Sequence, residues 1–200
     1  YAEVNASGGS FDTRRANVKF GTGLINDHFS FSGRLSAIKS DGYVDRASSD
    51  LKSYYLQGEY RNEKTLLKAV VFGGHEVTYQ SWNGIDAQTL ATDRTYNPIG
   101  FQYDDDGNFE GFYEDQVDNY KQDHVQLHWN QKYGGGWSTQ LSLNYTMGRG
   151  FFEEYVDSWY YANVNFSSDA TFDFIGWESY EVDGELQTDT DLIRCRWLDN

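Results

Sequence analysis

The chain is 200 residues long, 38% hydrophobic and 18% aromatic, with a formal net charge of -15 and a mean hydropathy of -0.73. That acidic surplus excludes nucleic acid as a natural partner, since phosphate binding wants clustered Lys and Arg. The lone Cys195 excludes an internal disulfide framework and a cysteine-based metal site. No run approaches the roughly eighteen apolar residues of a transmembrane helix, which leaves spanning by strands open.

The apolar content is low for a soluble core of this size, which draws more on Leu, Ile and Val. Abundant aromatics, 20 Gly and a single Pro suit long strands and interfacial rings. The same aromatics argue against disorder. Strands are expected to begin near Tyr1, Arg14, Phe29, Leu51, Thr65, Tyr120, Trp137 and Leu192. The segment from Tyr1 to Ser7 is already strand-like. With no signal-peptide pattern ahead of it and another such run just before Asn200, the chain reads as a fragment.

Period-two alternation defines the strands that follow. Ala16, Val18, Phe20 and Leu24 alternate with Arg15, Asn17 and Lys19; Phe29, Phe31, Leu35 and Ala37 alternate with Ser30, Ser32, Arg34 and Ser36. Tyr54, Leu56 and Tyr60 alternate with Ser53, Gln57 and Glu59. The run from Thr65 to Gln80 is less clean, because Val70 and Phe72 fall on the polar face. Val125, Leu127 and Trp129 oppose Gln122, His124, Gln126, His128 and Asn130. From Trp137 the odd positions to Met147 are largely apolar and the even ones to Gly148 polar.

These runs reach roughly ten residues or more, enough to cross a hydrocarbon layer when tilted. Short turns are expected at Asn26-Asp27, Asn62-Glu63 and Gly134-Gly135-Gly136. Long connections are expected near Asp41 to Asp50, Asn83 to Asp118 and Phe152 to Asp191. Short and long connections in alternation are how outer-membrane barrels distribute periplasmic turns and extracellular loops. Phe29, Phe31, Tyr60, Trp129 and Trp137 share the outward parity near short turns, as a periplasmic aromatic girdle would. The fold class expected is therefore all-β: an antiparallel transmembrane β-barrel segment of about eight strands with long extracellular loops. Eight strands could close a small barrel alone, but the two longest loops are large for that scaffold. A soluble sandwich with one wet face is the competing architecture.

Twenty of the 31 acidic residues lie in 83–118 and 150–193, where Arg94 is the only Lys or Arg. The strand segments are thus net basic. A solvated surface explains the acidic loops; ligand selection or divalent cations held by carboxylates is the functional alternative. Residues 104–110 (DDDGNFE) loosely resemble a calcium loop but lack its full spacing, so an Asp/Gly/Asn turn is the stronger reading. His124 and His128 stand about 13 Å apart on one strand face, too far to share a metal. They read as polar lumen residues. No nucleophile–base pair, paired-carboxylate arrangement or phosphate loop stands out, so no enzyme activity and no cofactor are expected.

Several strings then resemble a known family. They are 9–15 (GSFDTRR), 33–60 (GRLSAIKSDGYVDRASSDLKSYYLQGEY), 73–84 (GGHEVTYQSWNG), 93–100 (DRTYNPIG), 118–131 (DNYKQDHVQLHWNQ), 143–155 (LNYTMGRGFFEEY) and 191–200 (DLIRCRWLDN). In this order they resemble the barrel portion of TonB-dependent outer-membrane receptors, most closely the Bacteroidetes-type iron-complex and cobalamin-like group. Cys195, where a basic residue is more usual, and Phe151-Phe152, where Tyr-Tyr is, depart from the pattern.

The resemblance implies a barrel of about 22 strands around a plug, of which residues 1–200 would supply roughly a third of the wall. Plug and TonB box are not among these residues. It further implies a bacterial outer-membrane location and three partners: membrane lipid, the TonB energising complex acting through the plug, and a small nutrient ligand. That ligand would be a ferric siderophore, haem or a cobalamin-like compound. A passive porin, a glycan-importing barrel and a soluble binding module are the alternatives. Candidate ligand contacts at the outer end are His75, Tyr79, Trp82, Arg94, Tyr96 and Asn97. Trp159 and Trp177, with Tyr160 and Tyr161, could stack on a glycan or macrocycle. For 93–100 the competing reading is loop architecture, with Asn97-Pro98 starting a turn and Arg94 pairing with nearby acids.

Overall fold

The computed structural model describes residues 1–104 and 106–155, and beyond them only the strand backbone at 180–182, 185–187 and 192–197. Its main strands are β1 (Ala2–Gly8), β2 (Arg14–Ile25), β3 (Phe29–Ser40), β4 (Ser49–Arg61) and β5 (Thr65–Tyr79). A helix, α1 (Ala87–Thr92), and a hairpin, β6 (Phe101–Tyr103) and β7 (Phe109–Phe112), lie in the following connection. Then come β8 (Val117–Lys132), β9 (Ser138–Tyr155), β10 (Tyr180–Val182), β11 (Glu185–Gln187) and β12 (Leu192–Trp197). The protein is all-β in its main architecture. One eight-stranded sheet runs in the order β1-β2-β3-β4-β5-β8-β9-β12, every neighbouring pair antiparallel. Strand follows strand in chain order, and β1 and β12 form the edges of an open sheet.

Turn chemistry fixes the register. Between β2 and β3, Asn26 and Asp27 both take positive φ (49° and 60°), and the His28 amide donates to Ile25 O at 3.0 Å. Two positive-φ residues in a tight hairpin loop match the right-handed twist of the strands, and Asn and Asp tolerate that conformation best after Gly. Asn62 closes the next turn, its Oδ1 accepting from the amides of Lys64 and Thr65 at 2.9 and 2.7 Å. The three expected short turns sit at one end of the sheet; residues 9–13, a five-residue turn, and the connections 41–48 and 80–116 cross at the other.

With register fixed, alternation becomes two continuous faces. Across β1 to β9, residues align in rows such as Ala2–Phe20–Gly33–Leu56–Val71–Val125–Tyr145. Nearest the short turns the same face carries the row Phe29–Tyr60–Leu67–Trp129–Leu141, with the Phe29 and Tyr60 rings 5.0 Å apart. These apolar groups are open: Leu143 is 55%, Tyr145 64% and Phe31 53% exposed. Among the described residues only Val70, Tyr79 and Ile99 are buried hydrophobics. The sheet therefore has no internal core of the soluble kind.

The irregularity expected in β5 is real. Val70 lies on the polar face, 4% exposed, and Phe72 on the same face stacks on His124 with ring centroids 4.5 Å apart. Gly73 serves a different end. A Cβ there would come within 2.5 Å of Asp123 Oδ1, so its absence lets Tyr54 reach across and donate to that oxygen at 2.7 Å.

Candidate functional site

At the long-loop end the connections are sewn together by buried amides. Gln80, Asn97 and Gln116 are the most completely buried large side chains described. Asn97 Nδ2 donates to Asp45 O and Gln80 O, both at 3.0 Å, while its Oδ1 accepts from the Ile99 amide at 3.1 Å. One side chain thereby ties the 41–48 connection, the end of β5 and the 93–100 segment to one another. Gln80 Nε2 donates to Glu153 O at 2.9 Å and Gln116 Nε2 to Gln80 Oε1 at 3.1 Å. The Tyr155 amide donates to Gln116 Oε1 at 2.7 Å. Burial of polar groups is affordable only when they are paired in this way.

Arg46 is the second clamp. It sits at φ 62°, and its Nη2 donates to Asn97 O and Ile99 O at 2.6 and 3.0 Å. Its guanidinium lies 3.8 Å from the Phe112 ring centroid and 5.5 Å from that of Phe101. The positive group thus lies against ring faces of the β6–β7 hairpin, where the quadrupole favours it. Tyr79 closes the cluster, its hydroxyl donating to Tyr113 O at 2.9 Å.

The residues expected to contact ligand are consequently scattered. Tyr79 and Asn97 are framework, only 7% and 1% exposed. His75 follows the parity of Leu67, Ala69 and Val71 onto the apolar face and does not rise into the loop; its Nε2 is 2.8 Å from Asn119 Oδ1. Trp82 (62% exposed), Tyr96 (37%) and the exposed Arg94 remain open on the loop. Arg94 enters none of the ion pairs among the described residues, so the expected pairing with loop acids is not seen there. Trp159, Tyr160, Tyr161 and Trp177 lie outside the described residues.

The loop carboxylates organise backbone. Asp104 Oδ1 accepts from the Asp106 and Asn108 amides at 3.0 and 2.7 Å, and Oδ2 from Asn108 Nδ2 at 2.9 Å. Residues 104–108 thus form an Asx-type turn. The Asn108 side chain, then its amide, holds the Asp104 carboxyl below the usual range. Asp86 caps α1, its Oδ1 accepting from the Gln88 and Thr89 amides at 2.8 and 2.9 Å.

The polar face supplies a surface the sequence did not single out. Near the loop end, three of its rows are Leu51–Glu76–Tyr120–Gly150, Ser53–Gly74–Gln122–Gly148 and Tyr55–Phe72–His124–Thr146. They border an open concavity of about 480 Å³, whose lining also includes His75 from among the expected ligand contacts. Tyr120 lies over Gly148 and Gly150, where any Cβ would meet its ring or hydroxyl at 2.5–2.6 Å. His124 is fixed from two sides, stacked on Phe72 and with Nδ1 2.9 Å from Thr146 Oγ1. Flat aromatic surface beside Gln122 and Glu76 suits a ring-bearing ligand with hydroxyl or amide edges. The signal available in sequence was the break in alternation at Phe72. No protein-family model, curated protein or solved structure matches the chain.

Proposed function

We infer that this chain is a wall segment of an outer-membrane β-barrel receptor of the TonB-dependent kind, serving uptake of a scarce nutrient such as a ferric siderophore, haem or a cobalamin-like ligand. The observation that carries the reading is the two-faced sheet: apolar rows stand open across β1 to β9, opposite a polar face. In water each buried Å² of such surface would gain about 25 cal/mol, so a large open apolar face is costly to leave wet. In lipid the same face is at home, and the ladder satisfies the backbone. The long connections 41–48 and 80–116 lie at one end, beside the five-residue turn 9–13, and the other end carries only short turns among the described residues, which fits the same orientation. A soluble sandwich would need a second sheet over the apolar rows, and among the described residues the small sheets β6–β7 and β10–β11, with strands of three or four residues, are too small to be one.

On this reading the edges β1 and β12 pair with further strands of a larger barrel. The aromatic concavity and the exposed Trp82, Arg94 and Tyr96 face the ligand. The role is transport, with energy reaching the barrel through a plug and the TonB complex. A glycan-importing barrel is the second reading, favoured by the Phe72–His124 platform, because sugar faces stack on aromatic rings.

Fractionation of producing cells tests the membrane claim. The protein should sediment with outer membranes and leave them only in detergent; recovery as a monodisperse protein in aqueous buffer would sink it. Uptake that stops when the inner membrane is de-energised distinguishes active transport from a passive pore.

A further inference from the structure

The apolar face changes character along one line. Above the row Val4–Val18–Leu35–Tyr54–Gly73–Asp123–Met147 comes Ala6–Ala16–Ala37–Lys52–His75–Lys121–Arg149. The next row begins Gly8–Arg14–Lys39–Asp50. Five Lys or Arg and one His thus occupy two adjacent rows over six consecutive strands. From there down to Phe29–Tyr60–Leu67–Trp129–Leu141, that face carries no Lys or Arg among the described residues. In a chain of net charge -15, this is a sharp segregation.

The belt is incompletely neutralised. Asp12 pairs with Arg14 at 2.8 Å, Asp50 with Lys52 at 3.2 Å and Asp123 with Lys121 at 3.6 Å. Lys39 and Arg149 enter no ion pair among the described residues. The Arg14 and Lys52 pairs are solvent-exposed and the Lys121 pair is half-exposed, and exposed pairs are weak enough to yield to another anion. Position points to the anion. The strand from Leu141 to Arg149 rises about 27 Å at roughly 3.4 Å per residue. At a tilt of about 35–45° that is roughly 20 Å of height, near the apolar band of an outer-membrane barrel. The belt therefore stands where hydrocarbon gives way to headgroups on the long-loop side. Neighbouring strands lie about 4.8 Å apart, so Lys52 to Arg149 spans about 14 Å, wide enough for a headgroup bearing two phosphates.

We propose that Lys52, Lys121 and Arg149, flanked by Arg14 and Lys39, form a phosphate-binding belt for the lipid headgroups of the leaflet on the long-loop side. The proposal rests on the membrane reading above and adds to it a site and a lipid class. Guanidinium and ammonium groups supply the charge-assisted donors that phosphate oxygens accept.

The test uses the full chain in maltoside micelles, titrated separately with diphosphorylated lipid A, dephosphorylated lipid A and phosphatidylcholine, bound lipid being counted by native mass spectrometry. The expected result is about a tenfold preference for the diphosphorylated lipid, from several bases acting near a charged surface. The belt variant K52Q/K121Q/R149Q should lose that preference, and the polar-face control R15Q/K19Q/R34Q should keep it. Arg149→Gln alone, at an exposed position, should lower it about threefold and serves if the triple variant does not fold. Equal binding of phosphorylated and dephosphorylated lipid, or a preference that survives in the belt variants, overturns the belt while leaving a detergent-requiring wall intact. Saturation by inorganic phosphate without lipid preference also overturns it. A protein that needs no detergent and binds none of the lipids removes the wall and the belt together.

Discussion

Replacing Asn97 with alanine removes three hydrogen bonds at once: two donated to Asp45 O and Gln80 O and one accepted from the Ile99 amide. The site is 1% exposed, so water does not replace them. At about 1 kcal/mol net for each bond the cost is about 3 kcal/mol, more if the orphaned carbonyls stay dry. That corresponds to roughly a hundredfold increase in opening of the loop cap. Hydrogen exchange reads it directly through amides that bridge the cap: Asp45 to Thr95 O, Gln80 to Gln116 O and Tyr113 to Gly100 O. These should lose about two decades of protection, whereas ladder amides such as those of Val71 and Leu127 should not change. Protection unaltered within about twofold, or lost evenly across cap and strands, would refute Asn97 as the local tie.

Gly73→Val would drive a Cβ into Asp123 Oδ1 and Gln122 O, each 2.5 Å away. It should cost about 1–3 kcal/mol, read as a lower unfolding midpoint in detergent, whereas an unchanged midpoint would show that the Tyr54–Asp123 bridge is dispensable. Arg46→Met should open the β6–β7 hairpin to limited proteolysis by removing two carbonyl contacts and a cation–π contact worth about 1–2 kcal/mol. Arg46→Lys should rescue it only in part, because the fork geometry is lost; equal cleavage of wild type and Arg46→Met would contradict the clamp. The Asp86 carboxyl is held below its ordinary value of 3.8, first by the Thr89 amide. Its contribution to α1 is therefore complete above that value and lost as pH falls through the lower folded-state value. The Gln88 and Thr89 amide shifts should move towards coil values only in that acid range, and Asp86→Asn should abolish the pH dependence.

Strand existence, facing and order were legible in the sequence because they depend on local rules. A period of two assigns each side chain a face, and Asn26-Asp27, Asn62-Glu63 and Gly134–Gly136 mark turns by their backbone preferences. Expected strand starts at Arg14, Phe29, Thr65 and Leu192 are the observed ones; Tyr1 and Trp137 lie one residue before theirs, and Leu51 and Tyr120 two and three residues after theirs, where the ladder begins ahead of the periodic stretch. The facing of His75 was harder to read, because Val70 and Phe72 put apolar residues on both faces of β5 and blur parity as the strand nears its loop.

Apart from the Asp104–Asn108 turn, the packing of the loops was not legible, since a connection without periodicity leaves no pattern to read. Asn97 stood out within its motif, but that it ties Asp45 to Gln80 depends on pieces of chain brought together from 17 and 52 residues away. Arg46 carried no signal at all. An antiparallel sheet with one apolar and one polar face follows from residue order alone, because alternation is written residue by residue. Which residues share a height across strands is settled by the pairing of the folded sheet. Register is set by hydrogen-bonded ladders between distant segments, and it is register that aligns Lys52, His75, Lys121 and Arg149 in one row and Tyr120 over its glycines.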